Sequence, residues 1–254
     1  MAFNRKLLVT TALCASAVLG LSACGGSGDE AADPFKDLTP KQISERAEKA
    51  TKAADSLKVK GTTTEDGEKT DLTFAVSKAG DCEGTIGSKG AQGSVVSVDG
   101  SMYIKGDEAF WKAENEQQGG DAAESDAMIE MLKGRWMKVP NEQGSKEGMA
   151  GACDLDDILK DTDKGGSGKI TRGEDTEVDG EPVATLVKKD GEETSTAYVA
   201  KEGKPYLLKV VVKGGDEPGE MTLSDYDKPL EVKAPPADET VDLQKLLMGE
   251  ASAA

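Results

Sequence analysis

The chain has 254 residues, 31 basic and 48 acidic side chains, and a formal net charge of −17. Such a surface repels phosphate backbones, so nucleic acid is excluded as an expected partner. Histidine is absent, which removes the usual general base near neutral pH and the commonest zinc ligand. No His-dependent triad can be assembled, no catalytic residue stands out among the many carboxylates, and neither a metal nor another cofactor is expected.

Arg5 and Lys6 begin the chain with positive charge, and residues 7–21 follow as a mostly apolar, uncharged run. That order is a secretory signal, and the run is shorter than the roughly 20 residues a spanning helix needs. At its end Leu21, Ser22, Ala23 and Cys24 resemble the lipobox of bacterial lipoproteins, with a leucine three before the cysteine and small residues between. The resemblance implies that residues 1–23 are removed and that Cys24 is acylated. A diacylglyceryl group, with palmitate-type chains, would then anchor the protein on the extracytoplasmic face of the cell membrane. Two acyl chains anchor stably where one binds reversibly. Gly25, Gly26 and Gly28 follow Cys24 and cannot bury it.

Residues 24–38, rich in Gly, Ala and Asp, read as a tether, and 39–254 as a single domain. Thr39 caps a helix with Pro40 at its first position, and Ile43, Ala47, Ala50 and Ala54 share one face. From Leu57 the period becomes two. Leu57 and Val59 alternate with lysines, Leu72, Phe74 and Val76 share a face, and Met102 and Ile104 oppose Tyr103. Asp66-Gly67 and Asp99-Gly100 fall between such runs and predict hairpins.

A helical insert is expected near 107–160, with Met128, Met131 and Leu132 forming a small apolar face and Trp111 and Trp136 at its flanks. These tryptophans would either guard a pocket mouth or fill the core. Asp154 and Asp157 read as helix-start residues rather than calcium ligands, because the oxygen spacing of a calcium loop is lacking. Strands resume after Lys169. Val183, Thr185 and Val187 alternate, and Tyr206, Leu208, Val210 and Val212 give the best strand face. The segment "VDLQKLL" after Pro235-Pro236 is expected to be a short helix or closing turn. Cys82 and Cys153 remain as an even pair outside the cytoplasm, which predicts a disulfide.

The runs "SLKVKGTTTEDGEKTDLTFAVSKAGDCEGTI", "GSMYIKGDEAFW", "GRWMKVP" and "KPYLLKVVVKGGDEPGEMTLSDYDKPLEVKAPPADETVDL" resemble, over roughly residues 39–247, the actinobacterial envelope lipoproteins of the LppX/LprG type within the LolA/LolB-like superfamily. The resemblance implies an α+β fold: a curved antiparallel half-barrel sheet with helices packed across its concave face. It also implies a non-enzymatic carrier of an acylated lipid or other hydrophobic ligand, held between sheet and helices. Leu72, Phe74, Val76, Met102, Ile104, Tyr206, Leu208 and Val210 are the candidate lining residues, although an alternating apolar residue is more often plain core. The alternative is a non-catalytic envelope module with a filled core, which meets a protein partner through its outer surface.

Overall fold

The computed structural model describes residues 33–65, 67–117, 119, 122–140, 153–155, 157–159, 168–242 and 244–245. The signal sequence and residues 24–32 of the tether, Cys24 among them, lie outside the described residues. Asp33–Ala254 groups as one compact unit.

Helix α1, Pro40–Lys52, begins as the sequence dictates. The Thr39 hydroxyl accepts from the Gln42 amide, and the Gln42 side chain accepts in return from the Thr39 amide, a complete capping box. Ile43, Ala47 and Ala54 are buried, while the charged residues between them face outward. The strands follow in order: β1 Ser56–Glu65, β2 Glu68–Ser77, β3 Cys82–Ser88, β4 Ala91–Val98 and β5 Ser101–Gly106. Helices α2, Glu108–Gln117, and α3, Ala122–Leu132, come next, followed by β6, Trp136–Pro140. The rest are β7 Ile170–Arg172, β8 Thr176–Val178, β9 Glu181–Asp190, β10 Glu193–Ala200, β11 Leu207–Lys213, β12 Gly219–Ser224 and β13 Thr240–Asp242. The expected hairpin at Asp99-Gly100 forms with both residues at positive φ, 51° and 70°, the backbone of a type I′ turn.

The strands join in one sheet with the order β13-β6-β5-β4-β3-β2-β1-β12-β11-β10-β9-β7, and β8 pairs with β9. This corrects the expectation of a curved antiparallel half-barrel with helices across its concave face. The sheet is mixed, because β13 runs parallel to β6, with Val241 opposite Met137. Its path is open: the end strands β13 and β7 pair with different neighbours and not with each other. The helices are few and short, and they pack in separate places, α1 against β7, β10 and β11, and α2 against β4, β5 and α3. The physical cause at the β13 end lies in residues 240–242. Val241 packs against the core as a strand residue, so this part of the expected closing helix is instead the sheet's end strand.

The β10–β11 pairing shifts register between Tyr198 and Val199. In consequence Leu207 pairs with Val199 and is buried, while Val210 pairs with Ala197. The unbroken alternation expected from Tyr206 to Val212 therefore fails, since a bulge admits one unpaired residue. Strand β9 is buried on both faces from Val183 through Leu186.

Two polar assemblies fasten the sheet to its surroundings. At the end of α1 the Thr51 hydroxyl accepts from the Leu207 amide at 3.0 Å, and the Tyr226 hydroxyl donates to the Leu207 carbonyl. The Tyr226 ring stacks on Tyr206 with centroids 3.9 Å apart. The Tyr206 hydroxyl and the Lys204 ammonium both donate to Asp227, and so does the Asp55 amide. Near β7, Arg172 binds Asp175 at 2.7 Å and Asp33 at 3.2 Å, and Lys201 binds Asp175 at 2.6 Å. Phe35 is buried beside this clasp with the Arg172 guanidinium over its ring. Burial opposes ionisation of Asp175, but Lys201 and Arg172 outweigh it and hold the carboxyl below its ordinary range.

Cys82 and Cys153 form a disulfide, Cα–Cα 5.3 Å, across 71 positions. It ties the start of β3 to a short helical stretch in which Leu155 and Leu159 are buried. Replacing both cysteines by serine is expected to cost about 2–5 kcal/mol, read as a drop in denaturant midpoint. The Lys204 ammonium, the Tyr206 hydroxyl and the Asp55 amide hold Asp227 far below its usual range. A depressed carboxylate contributes stability above the unfolded-state pKa of about 3.9 and loses it as pH falls through the folded value. Thermal melts between pH 7 and pH 2 should therefore show Asp227→Asn less stable than wild type at pH 7, with the difference shrinking in acid.

Candidate functional site

The inner face of β2–β5 is apolar because the period-two pattern puts it there. Phe74 and Val76 on β2, Val95 on β4, and Met102 and Ile104 on β5 are buried in one core cluster. Cross-strand pairs such as Val95 with Ile104 keep these side chains in register. Three short pieces supply the facing surface: Phe110 and Trp111 from α2, Ile129 and Leu132 from α3, and Leu155 and Leu159 beside the disulfide. Asp154 caps this last piece, its carboxylate accepting from the Asp157 amide at 3.1 Å, which agrees with the helix-start reading.

Glycine lets α2 approach. A Cβ on Gly93 or Gly106 would overlap the Phe110 ring, and one on Gly84 would overlap Phe74. The Phe110 ring therefore sits directly on the backbone of β4 and β5, edge-on to Trp111 with centroids 5.1 Å apart. The Asp107 carboxylate holds the start of α2 by accepting from the Phe110 and Gln92 amides at 2.8 and 3.0 Å. Trp111 is buried, and its indole Nε1 has no hydrogen-bond partner among the described residues.

The eight candidate lining residues divide by place. Phe74, Val76, Met102 and Ile104 lie together in the core cluster, with Leu72 and Val210 packed against its margin. Tyr206 instead stacks on Tyr226 at the α1 corner. Leu208 is half-buried beside the irregular pairing that puts Leu207 in the core. Of the two tryptophans, Trp111 is core, and Trp136 is half-buried under the Lys105 ammonium.

A groove of about 230 Å³ on β2–β4 is bordered by Leu72, Thr73, Thr85, Ile86 and Gln92, with the Lys69–Asp71 ion pair at its rim. Among the described residues no group of three or more His, Cys, Asp or Glu side chains is placed to hold a metal ion, and no helix is long and apolar enough to cross a membrane. Sequence reasoning missed Phe110, Leu155 and Leu159 as the facing surface. Glycines at 93 and 106 opposite an aromatic-bearing helix were the available signal for Phe110. Gly106→Ala is expected to lose about 1–3 kcal/mol by overpacking against Phe110, measured by urea unfolding, and Phe110→Leu in the same chain should recover part of that loss.

No family model and no curated protein sequence matches the chain. Solved structures do. LprF from Mycobacterium bovis aligns with a TM-score of 0.51 at 15% identity, covering 78% of this chain and 97% of that one. The lipoprotein LppX from Mycobacterium tuberculosis aligns with a TM-score of 0.49 at 13% identity, covering 76% and 98%. An uncharacterized conserved protein from Thermus thermophilus gives 0.38 at 10%. The chain thus shares the fold of LprF over more than three quarters of its length.

Proposed function

We propose that the chain is a non-enzymatic lipoprotein, held at the extracytoplasmic face of the cell membrane by an acylated Cys24, that binds a hydrophobic ligand of the acylated-lipid class. The ligand lies between the inner face of β2–β5 and the segments of α2, α3 and 153–159. The observation that carries this reading is how that face is covered. Among the described residues, a broad apolar surface, from Phe74 to Ile104, is met by three separate short pieces and not by a second sheet or a long helix. Pieces of that kind can shift apart without breaking strand pairing, and each buried CH₂ of an acyl chain then contributes about 0.8 kcal/mol. The fold shared with LprF and the lipobox residues Leu21 to Cys24 support the same reading.

One observation favours a second reading. Phe74, Val76 and Met102 are each no more than 3% exposed, the packing of a filled core, and a filled core would leave the outer surface to meet an envelope partner.

Purification of the full chain, organic extraction and lipid mass spectrometry separate the two. Acyl lipid recovered in excess of the N-terminal modification is expected; an extract with none, together with a specific partner retained by the intact protein, replaces the first reading with the second. In the same cells Cys24→Ala should move the protein from the membrane fraction to the soluble one. Unchanged membrane association would remove the anchor from the proposal.

A further inference from the structure

On the ligand reading just given, we infer that Trp111 Nε1 is the donor that holds the ligand by a hydrogen-bond acceptor, the carbonyl of an acyl ester. Two observations at one place in the fold carry this. First, Trp111 is 8% exposed, and its indole N–H has no partner among the described residues. Native interiors leave few such groups unpaired, and each calls for an acceptor. An indole nitrogen is a donor only, so the missing partner is an acceptor. Around it the chain supplies apolar side chains: Phe110 from the same helix, and Ile129 and Leu132 from α3, which packs on α2. Second, α3 also carries the exposed large hydrophobic side chains found among the described residues, Met128 at 42% and Met131 at 38%. One helix therefore bears apolar surface both in the solvent and in the core that contains Trp111. Methionine is the residue that adapts best to an apolar guest of variable shape.

The chemistry selects the guest. A plain hydrocarbon would satisfy the apolar surface and leave Nε1 unpaired. A charged headgroup would have to be desolvated beside the buried Phe110 and Leu132, which is costly. A neutral carbonyl on an aliphatic chain answers both requirements. The other buried polar atom without a partner, Thr185 Oγ1, belongs to β9 at the far end of the strand order and has no part in this site.

The chain has two tryptophans, so its indole N–H spectrum contains two resonances, and Trp111→Phe assigns them. The full chain in dodecyl maltoside, a detergent without a carbonyl, is titrated with 1-palmitoylglycerol and separately with hexadecane. The ester should move the Trp111 resonance downfield and leave Trp136 in place, whereas hexadecane should not produce that shift. Retention of radiolabelled 1-palmitoylglycerol should fall roughly three- to tenfold in Trp111→Phe, the scale of one lost hydrogen bond, with hexadecane retention unchanged. If wild type binds the ester while the Trp111 resonance stays still, the acceptor is a buried water or nothing, and the inference fails with the ligand reading intact. If wild type binds neither probe, both fail. The wild-type titration decides the matter even if the variant folds poorly.

Discussion

Among the described residues, an open sheet of thirteen strands presents more apolar surface on its inner face than any one helix can cover. α1 has thirteen residues and α2 has ten, against a strand path that runs from β13 to β7. The hydrophobic effect requires that face to be removed from water, and the chain meets the requirement piecewise. α1 covers the β7, β10 and β11 region, α2 covers β4 and β5, and α3 packs on α2. The stretch bearing Leu155 and Leu159 is brought to the core by a covalent bond at Cys82. Each covering piece is separately fastened. The Thr51, Tyr226 and Asp227 corner holds the end of α1, the Asp107 carboxylate holds the start of α2, and the disulfide holds the third. The site follows from the same constraint, because a surface covered in pieces has seams.

Much of this was legible in the residues. Thr39 and Pro40 announced the start of α1, and both were right for the reason given: a side-chain acceptor for orphaned amides and a preset φ. Asp99-Gly100 announced its hairpin because Asp and Gly readily adopt the two positive φ angles its turn needs. Phe74, Val76, Met102 and Ile104 fall on one buried face because local alternation is a property of the strand itself.

What was not legible depends on partners distant in sequence. Val241 and Asp242 read as the start of a helix or turn, and the choice of a parallel strand beside β6 was made by Met137 and its neighbours, a hundred residues earlier. Alternation nominated Leu208, and the shift of register beside Val199 chose Leu207. Arg172, Asp175, Lys201 and Asp33 form the clasp that holds Phe35, yet in a chain with so many charges no pattern marks those four. The unpaired indole of Trp111 belongs to the same class, since a missing partner cannot be read from the residue that lacks it.

The ends of the strand order have a further effect. A wide open sheet invites growth, because the free N–H and C=O groups of a long border strand can accept another chain. Here each border is cut into short lengths. β13 contributes three residues beyond β6, and the far side of the ten-residue β9 is shared between β7 and β8, three residues apiece. A passing strand finds no run long enough to template on. The breadth that gives this protein its large inner surface therefore comes with borders too short to favour edge-to-edge growth.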